Sequence, residues 1–354
     1  FDEQFATIFL FRRCFIKFSE PLNHNFTPPK QPNYIYYRMK AAVLVQHGEA
    51  ATAFRLQEHP IPTHQADEVL IAVDAFGLNF ADVMAMRGKY QDCPPLPAVV
   101  GYEVVGRVMA IGSEVTHLVV GQRVVAFTRF GAYATEVVTK GKAVVAIPDH
   151  FSNGVAAALA TQYCTAYYAA AYLLQLRPGE KVLIHAAAGG VGTALVQLAK
   201  WRGCTIFGTA SGREKIHYLL QQGVDFPIDY SQRNFVEAIQ TLSSNGKVDV
   251  IFDSIGGNSV RKGMELLQAG GKMVCYGAAV LAQTPTISVK MLSEGLGFGL
   301  YHPAQLMMRS IALLGVNMLR IADEQPDVLQ HCLENCVRLA EEGVFRPTVG
   351  GVFH

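Results

Sequence analysis

The pattern of apolar and polar positions changes period within residues 181–200, KVLIHAAAGGVGTALVQLAK. Lys181–His185 is a short apolar run ending in small residues, as expected of a strand buried in a parallel sheet. From Val191 onward, Leu195, Val196, Leu198 and Ala199 recur at helical spacing on one face. Downstream the two periods keep alternating. Strands are expected at Thr205–Thr209, Phe226–Ile228, Val248–Asp253 and Lys272–Tyr276, with helices at Glu214–Gln222, Asn234–Leu242 and Ser259–Leu267. That alternation predicts an α/β fold with a doubly wound parallel sheet.

Upstream, from Met39 to about Tyr163, the pattern is of short strands: Ala41–Val45, Glu68–Phe76, Val104–Ile111, Gln122–Phe127, Tyr133–Val138 and Ala143–Ile147. Glycines at 101, 106, 112, 121, 131 and 141 punctuate them at the spacing of a compact β-barrel-like unit. Helical patterning begins at Asn153–Leu159 and continues through Thr165–Leu174. Residues 1–38 differ in character from the rest of the chain and are expected to be a leader or a disordered arm, with Met39-Lys40-Ala41-Ala42-Val43 resembling a natural start. The segment Thr284–Ser310 is apolar and Met-rich around Leu306-Met307-Met308, which fits core packing or a subunit contact better than a lipid-facing surface.

Composition narrows the function classes. The 354 residues suffice for about two domains. A net charge of +1 argues against a nucleic-acid partner. No apolar run approaches the roughly 20 residues a spanning helix needs. The seven cysteines are scattered and odd in number, which fits core residues of a reducing, cytoplasmic compartment. Cys332 and Cys336 lie one helical turn apart, but no second Cys or His pair stands at zinc spacing, so core packing is expected there.

The chemistry sits at the bend. Ala187-Ala188-Gly189-Gly190-Val191-Gly192 fits a dinucleotide-binding turn with Ala in place of the first Gly. Such a turn aims backbone N–H groups and the positive end of a helix at one point, where a diphosphate fits and a side chain would block it. About 20 residues on, an NAD site wants an acid at the tip of the second strand. Here the tip reads Thr209-Ala210-Ser211-Gly212-Arg213-Glu214-Lys215, without an acid at that point. Ser211, Arg213 and Lys215 suit a phosphate, and Tyr230 can close the pocket. NADPH is therefore the expected cofactor.

Several motifs resemble one family. Gly77-Leu78-Asn79-Phe80-Ala81-Asp82, Gly88-Lys89-Tyr90, Leu96-Pro97 and Gly179–Leu183 running into the AAAGGVG turn resemble the quinone oxidoreductase (zeta-crystallin-like) branch of the medium-chain dehydrogenase/reductase superfamily. Gly208–Ser211, Pro227–Tyr230 and Met273–Ala278 are most similar to the vesicle amine transport protein family within it. The resemblance implies a GroES-like β-barrel catalytic domain at 39–163 and a Rossmann NADPH-binding domain at 164–317. It also implies a return to the catalytic domain at 318–354, with a closing helix and strand absent beyond Gly350–His354. Asn79, Asp82 and Tyr90 are the implied catalytic residues. The implied cofactor contacts are Asn79, Thr165, Ala188, Gly189, Gly190, Val191, Ser211, Arg213, Lys215, Tyr230, Tyr276, Gly277 and Asn317. Asp82 has a second reading as the cap of the adjoining helix.

The zinc-dependent relatives carry a Cys in the segment that is Asn79–Asp82 here, and Gly-His-Glu where this chain has Gly101-Tyr102-Glu103. No metal is therefore expected. Without a Lewis acid, a quinone or an α,β-unsaturated carbonyl is the expected acceptor, because charge arriving with a hydride is delocalised within it. A homodimer is expected by analogy with the family. The alternative expectation is an NADPH-binding regulatory or membrane-associated protein with little turnover.

Overall fold

The computed structural model describes residues 38–282 and 297–353, which group into two units. The expected leader at 1–38 lies outside the described residues except for Arg38, as does much of the Met-rich segment. Among the described residues no helix is long and apolar enough to cross a membrane.

The first unit comprises the described residues up to Val124, together with Thr128–Gly141 and the end of the chain from Val349. Its strands include β1 (Arg38–Leu44), β2 (Phe54–Pro60), β3 (Glu68–Phe76), β4 (Ala98–Val99), β5 (Glu103–Ile111) and β6 (Glu136–Lys140). β1 pairs antiparallel with β2 and β4, and β3 pairs antiparallel with β5 and β6. Between β3 and β4 runs one short helix, α1 (Phe80–Met86). Gly106 marks the closest approach of two strands, since a Cβ there would collide with the Ala72 carbonyl across the ladder.

The expected strand Tyr133–Val138 is corrected. Tyr133–Thr135 bond to β1, with Ala42 N–H donating to the Tyr133 carbonyl at 2.8 Å and Thr135 N–H to that of Lys40 at 2.9 Å. The Thr135 carbonyl also accepts the Val73 N–H of β3 at 2.8 Å, and from Glu136 onward the chain pairs with β3 in register. One apolar run thus serves two partners.

The second unit comprises Val125–Phe127 and Lys142–Thr348. It holds β7 (Lys181–Ile184), β8 (Thr205–Ala210), β9 (Phe226–Asp229), β10 (Val248–Asp253), β11 (Leu267–Cys275) and β12 (Ala312–Gly315). These form one sheet in the order β9-β8-β7-β10-β11-β12, every pair parallel. The order reverses between β7 and β10, the switch point at which such sheets bind ligands. Helices α2 (Gly190–Trp201), α3 (Arg213–Gln221), α4 (Phe235–Leu242) and α5 (Asn258–Leu266) connect the strands.

Burial explains the periods seen in the sequence. Val182, Leu183 and Ile184 are wholly buried, so β7 reads as an unbroken apolar run. Leu195, Val196, Leu198 and Ala199 are buried on the inner face of α2. Leu183 and Ile251 share a core with Ile239 of α4 and Val260 and Met264 of α5. The two expected helices at Asn153–Leu159 and Thr165–Leu174 are one helical stretch, 153–173, widened into π turns at Leu159–Tyr163 and Tyr168–Leu173.

The segment 318–348 packs within the second unit, whereas the sequence reading assigned all of 318–354 to the first. Gln197 Nε2 donates to the Arg346 carbonyl at 3.0 Å, and the Tyr163 and Phe345 rings meet edge-on at 4.8 Å. These contacts join distant parts of the chain, which helix periodicity does not report.

Truncating Leu183 leaves a void at the sheet centre that its neighbours fill only in part. Leu183→Ala is expected to cost about 3 kcal/mol, measured by urea denaturation of the purified protein. A loss below about 1 kcal/mol would contradict this placement.

Candidate functional site

Each unit carries one group of candidate residues. In the second unit the group lies at the C-terminal ends of the parallel strands. After β7 the chain turns through Ala186, whose φ of +49° is unusual for a residue with a side chain. Thr209 at the end of β8 supports the turn: its Oγ1 accepts the Ala186 N–H at 3.3 Å and its carbonyl accepts the Ala187 N–H at 2.9 Å. Buried His185 lies beneath, with Nδ1 3.1 Å from Thr209 Oγ1 and its ring edge-on to Phe235. Burial lowers its pKa and Asp253 opposes that shift.

α2 begins directly after the turn, with Gly189 as its N-cap. A Cβ on Gly192 would collide with the Ala186 carbonyl, and one on Gly190 with Gln162 Oε1. Gly192 therefore lets the helix start pack against the bend, and Gly189 and Gly190 are exposed while Ala188 and Val191 are half-buried. An exposed helix N-terminus of bare backbone fits a diphosphate.

Next to the turn, β8 ends at Ala210. Ser211 is half-buried, Gly212 has a φ of +84°, and Arg213 is exposed while Lys215 is half-buried on the first turn of α3. Tyr230 comes directly after β9, its N–H donating to the Ala210 carbonyl at 3.1 Å, and its hydroxyl interacts with Ser211. Sequence reasoning missed an acid here. Asp229 pairs in register with Ala210, and its Oδ1 accepts from Ser231 Oγ at 2.6 Å and Gly212 N–H at 3.4 Å. The Ser231 hydrogen bond leads in holding this carboxyl below its ordinary pKa.

The remaining cofactor candidates lie at three places in the chain. Tyr276 and Gly277 come directly after β11, and Thr165 is buried with its hydroxyl donating to the Thr161 carbonyl at 2.7 Å. Asn317 caps the helix Met318–Glu324, its Oδ1 accepting the Leu319 N–H at 3.0 Å.

The first unit brings together Asn79, Asp82 and Tyr90 with three residues that sequence reasoning did not select: Tyr102, Glu103 and Tyr133. Asn79 is the N-cap of α1, and Asp82 Oδ2 accepts its backbone N–H at 2.8 Å. The capping reading of Asp82 thus has a direct geometric basis. Asn79 Nδ2 donates to Glu103 Oε1 at 3.0 Å. Asp82 and Glu103 are almost wholly buried.

Burial raises the Asp82 carboxyl to about 7, against the lowering effect of hydrogen bonds involving the Asn79 N–H, the Tyr133 hydroxyl and the Gly101 N–H. Tyr90 packs edge-on against Tyr102, centroids 6.0 Å apart. Burial, then Asp92, pushes the Tyr90 phenol up to about 12, with Tyr102 acting in the opposite sense. The one available signal for Glu103 was an acid opening a mostly apolar strand.

Among the described residues no three His, Cys, Asp or Glu side chains converge as a metal site. Cys164, Cys332 and Cys336 are buried free thiols.

Comparison with known proteins bears on both units. The family model described as an alcohol dehydrogenase GroES-like domain matches residues 65–176, and that described as a zinc-binding dehydrogenase matches 190–334. The synaptic vesicle membrane protein VAT-1 homolog of Danio rerio is 33% identical over 328 residues, covering 92% of this chain and 67% of the relative. A human VAT-1 homolog-like structure superposes with a TM-score of 0.73 at 28% identity, covering 88% of this chain and 89% of that one. An Escherichia coli quinone oxidoreductase solved with NADPH gives a TM-score of 0.73 at 26% identity, covering 87% and 89%.

Asp82 makes stability depend on pH. Its folded-state pKa lies above the unfolded value of 3.8, so its contribution is whole below that value and is lost as pH rises through about 7. Asp82→Asn keeps an acceptor for the Asn79 N–H without the buried charge. Relative to wild type, the variant should gain about 2–3 kcal/mol in unfolding free energy between about pH 5 and pH 8, read from urea melts. An equal difference at both pH values would contradict the shift.

Proposed function

The chain belongs to the medium-chain dehydrogenase/reductase superfamily, close to its VAT-1 branch, and from that premise we propose that it is a zinc-independent, NADPH-dependent reductase of quinones or α,β-unsaturated carbonyls. The observation that carries the reading is the bare helix start at Gly189–Gly190 beside a β8 tip bearing Ser211, Arg213 and Lys215. Bound NADPH supplies a hydride to an electron-poor carbon of the acceptor. The backbone of Ala188–Val191 holds the diphosphate, and Ser211, Arg213 and Lys215 hold the 2′-phosphate. Asp229 is occupied by Ser231 and Gly212, which limits its competition for that place. Tyr230 flanks the adenosine end, while Thr165, Tyr276, Gly277 and Asn317 are assigned to the nicotinamide side.

In the first unit, Asn79 and Tyr90 are assigned to the acceptor, as donors to the oxygen on which negative charge develops. Asp82 fixes the backbone on which Asn79 stands. The identification of the first unit as a GroES-like catalytic domain and of the second as a Rossmann NADPH domain belongs to the same proposal, as does a homodimer. Zinc independence is supported by residue type: Asn79–Asp82 and Gly101–Glu103 contain neither Cys nor His.

A second reading, of an NADPH-binding protein with a regulatory or membrane-associated role and little turnover, is favoured by one observation. Leu300, Met307 and Met308 are 88%, 75% and 83% exposed. Solvent-facing apolar side chains of this size suit a partner or a lipid surface.

Purified protein is expected to oxidise NADPH with a simple quinone or enone, faster than NADH and unimpaired by a chelator. Replacing both Arg213 and Lys215 by Ala should raise the KM for NADPH roughly tenfold or more while leaving that for NADH within about twofold. Activity abolished by chelation and restored by zinc would overturn the reading. Tight NADPH binding without turnover across a panel of acceptors, together with liposome association, would favour the second.

A further inference from the structure

We propose that Glu103 is a positioning residue for Asn79, holding its side-chain amide in one orientation. The catalytic consequence rests on the function proposed above. The geometric claim rests on the first unit alone.

Glu103 opens β5, is 0% exposed, and is followed by Val104 and Val105, which are equally buried. Burying a carboxyl group in an apolar strand is costly unless hydrogen bonds compensate for the water it loses. Its Oε1 accepts from Asn79 Nδ2 at 3.0 Å. The amide nitrogen, not the amide oxygen, therefore faces the acid, the arrangement that suits an accepting carboxylate oxygen.

The chain makes room for this contact at Gly77. A Cβ on Gly77 would collide with Glu103 Oε1 and would lie 2.7 Å from Cδ and 2.9 Å from Cγ. Gly77 is not in the left-handed region, so space is what demands glycine here. Any side chain at 77 displaces the acceptor from Asn79.

Asn79 is thus held through both its backbone and its side chain. Asp82 Oδ2 takes its backbone N–H at 2.8 Å at the start of α1, and Glu103 takes its side-chain nitrogen. An amide is planar, so committing one N–H fixes the plane and with it the directions of the second N–H and of Oδ1. A donor that helps a developing oxyanion is effective when its direction is set before the reaction. Without Glu103, Asn79 Nδ2 loses this acceptor, while the capping-box contact of the Asn79 side chain with the Asp82 backbone remains.

The first test uses cofactor-free protein. The Asn79 side-chain amide is observed by NMR in asparagine-labelled protein and assigned by its loss in Asn79→Ala. In wild type its bonded proton should exchange slowly with solvent. In Glu103→Leu, and in Gly77→Ala, exchange should quicken roughly tenfold or more as the hydrogen bond is lost. Glu103→Gln keeps an acceptor of the same shape and should retain much of the protection, which guards against a variant that merely unfolds.

The second test is kinetic. Glu103→Leu should lower kcat for quinone reduction roughly tenfold to a hundredfold, with the KM for NADPH within about twofold of wild type and partial rescue by Glu103→Gln. Unchanged exchange in both Glu103→Leu and Gly77→Ala overturns the positioning claim. Active wild type with an undiminished kcat in Glu103→Leu overturns its catalytic consequence. Wild type without turnover on any acceptor sinks the proposed function, and amide exchange still decides the geometry.

Discussion

The second unit depends on an approach that only bare backbone permits. The end of β7, the bend at Ala186 and the start of α2 occupy less space than a side chain at 192 would need. Because Gly192 lets the helix settle against the Ala186 carbonyl, the N-terminus of α2 reaches the C-terminal edge of the sheet. Because the strand order reverses between β7 and β10, that edge opens at the same place. The helix dipole and unspent N–H groups then face outward, so packing and anion recognition follow from one set of residues.

Buried polar groups hold both candidate sites in shape, each through a short list of partners. Thr209 accepts from the bend and lies beside His185, while Asp253 at the end of β10 accepts the N–H groups of Ile255 and Gly256 and the Ser259 hydroxyl. Asp82 and Glu103 do the equivalent for Asn79, one for its backbone and one for its side chain. Such groups tolerate little substitution, since removing one partner leaves the other buried and unsatisfied.

How far the sequence reached depends on the range of each interaction. β7 and α2 were legible because a strand buried on both faces and a helix buried on one face write their periods into adjacent residues. The acid-free tip at Ala210–Ser211 was legible too, being local, but Asp229 was not, because its place beside Ala210 depends on sheet register. β2 was missed for a similar reason: FRLQEHP is mostly polar, and backbone pairing with β1 makes it a strand. The segment at Tyr133 was read as a single strand because periodicity cannot show one run dividing itself between two partners. Glu103 is legible only as part of a motif, since its contact with Asn79 spans 24 residues of sequence and Gly77's role appears only when both are placed.

The central claim is that the N-terminus of α2 receives the diphosphate of the nicotinamide cofactor. The most direct measurement tracks backbone amide signals during titration of the folded, isotope-labelled protein with NADPH. The largest shifts should fall on Gly189, Gly190 and Val191, with a second set at Ser211 and Gly212. Saturating cofactor that leaves those amides unmoved, or moves only residues remote from the bend, would contradict the account.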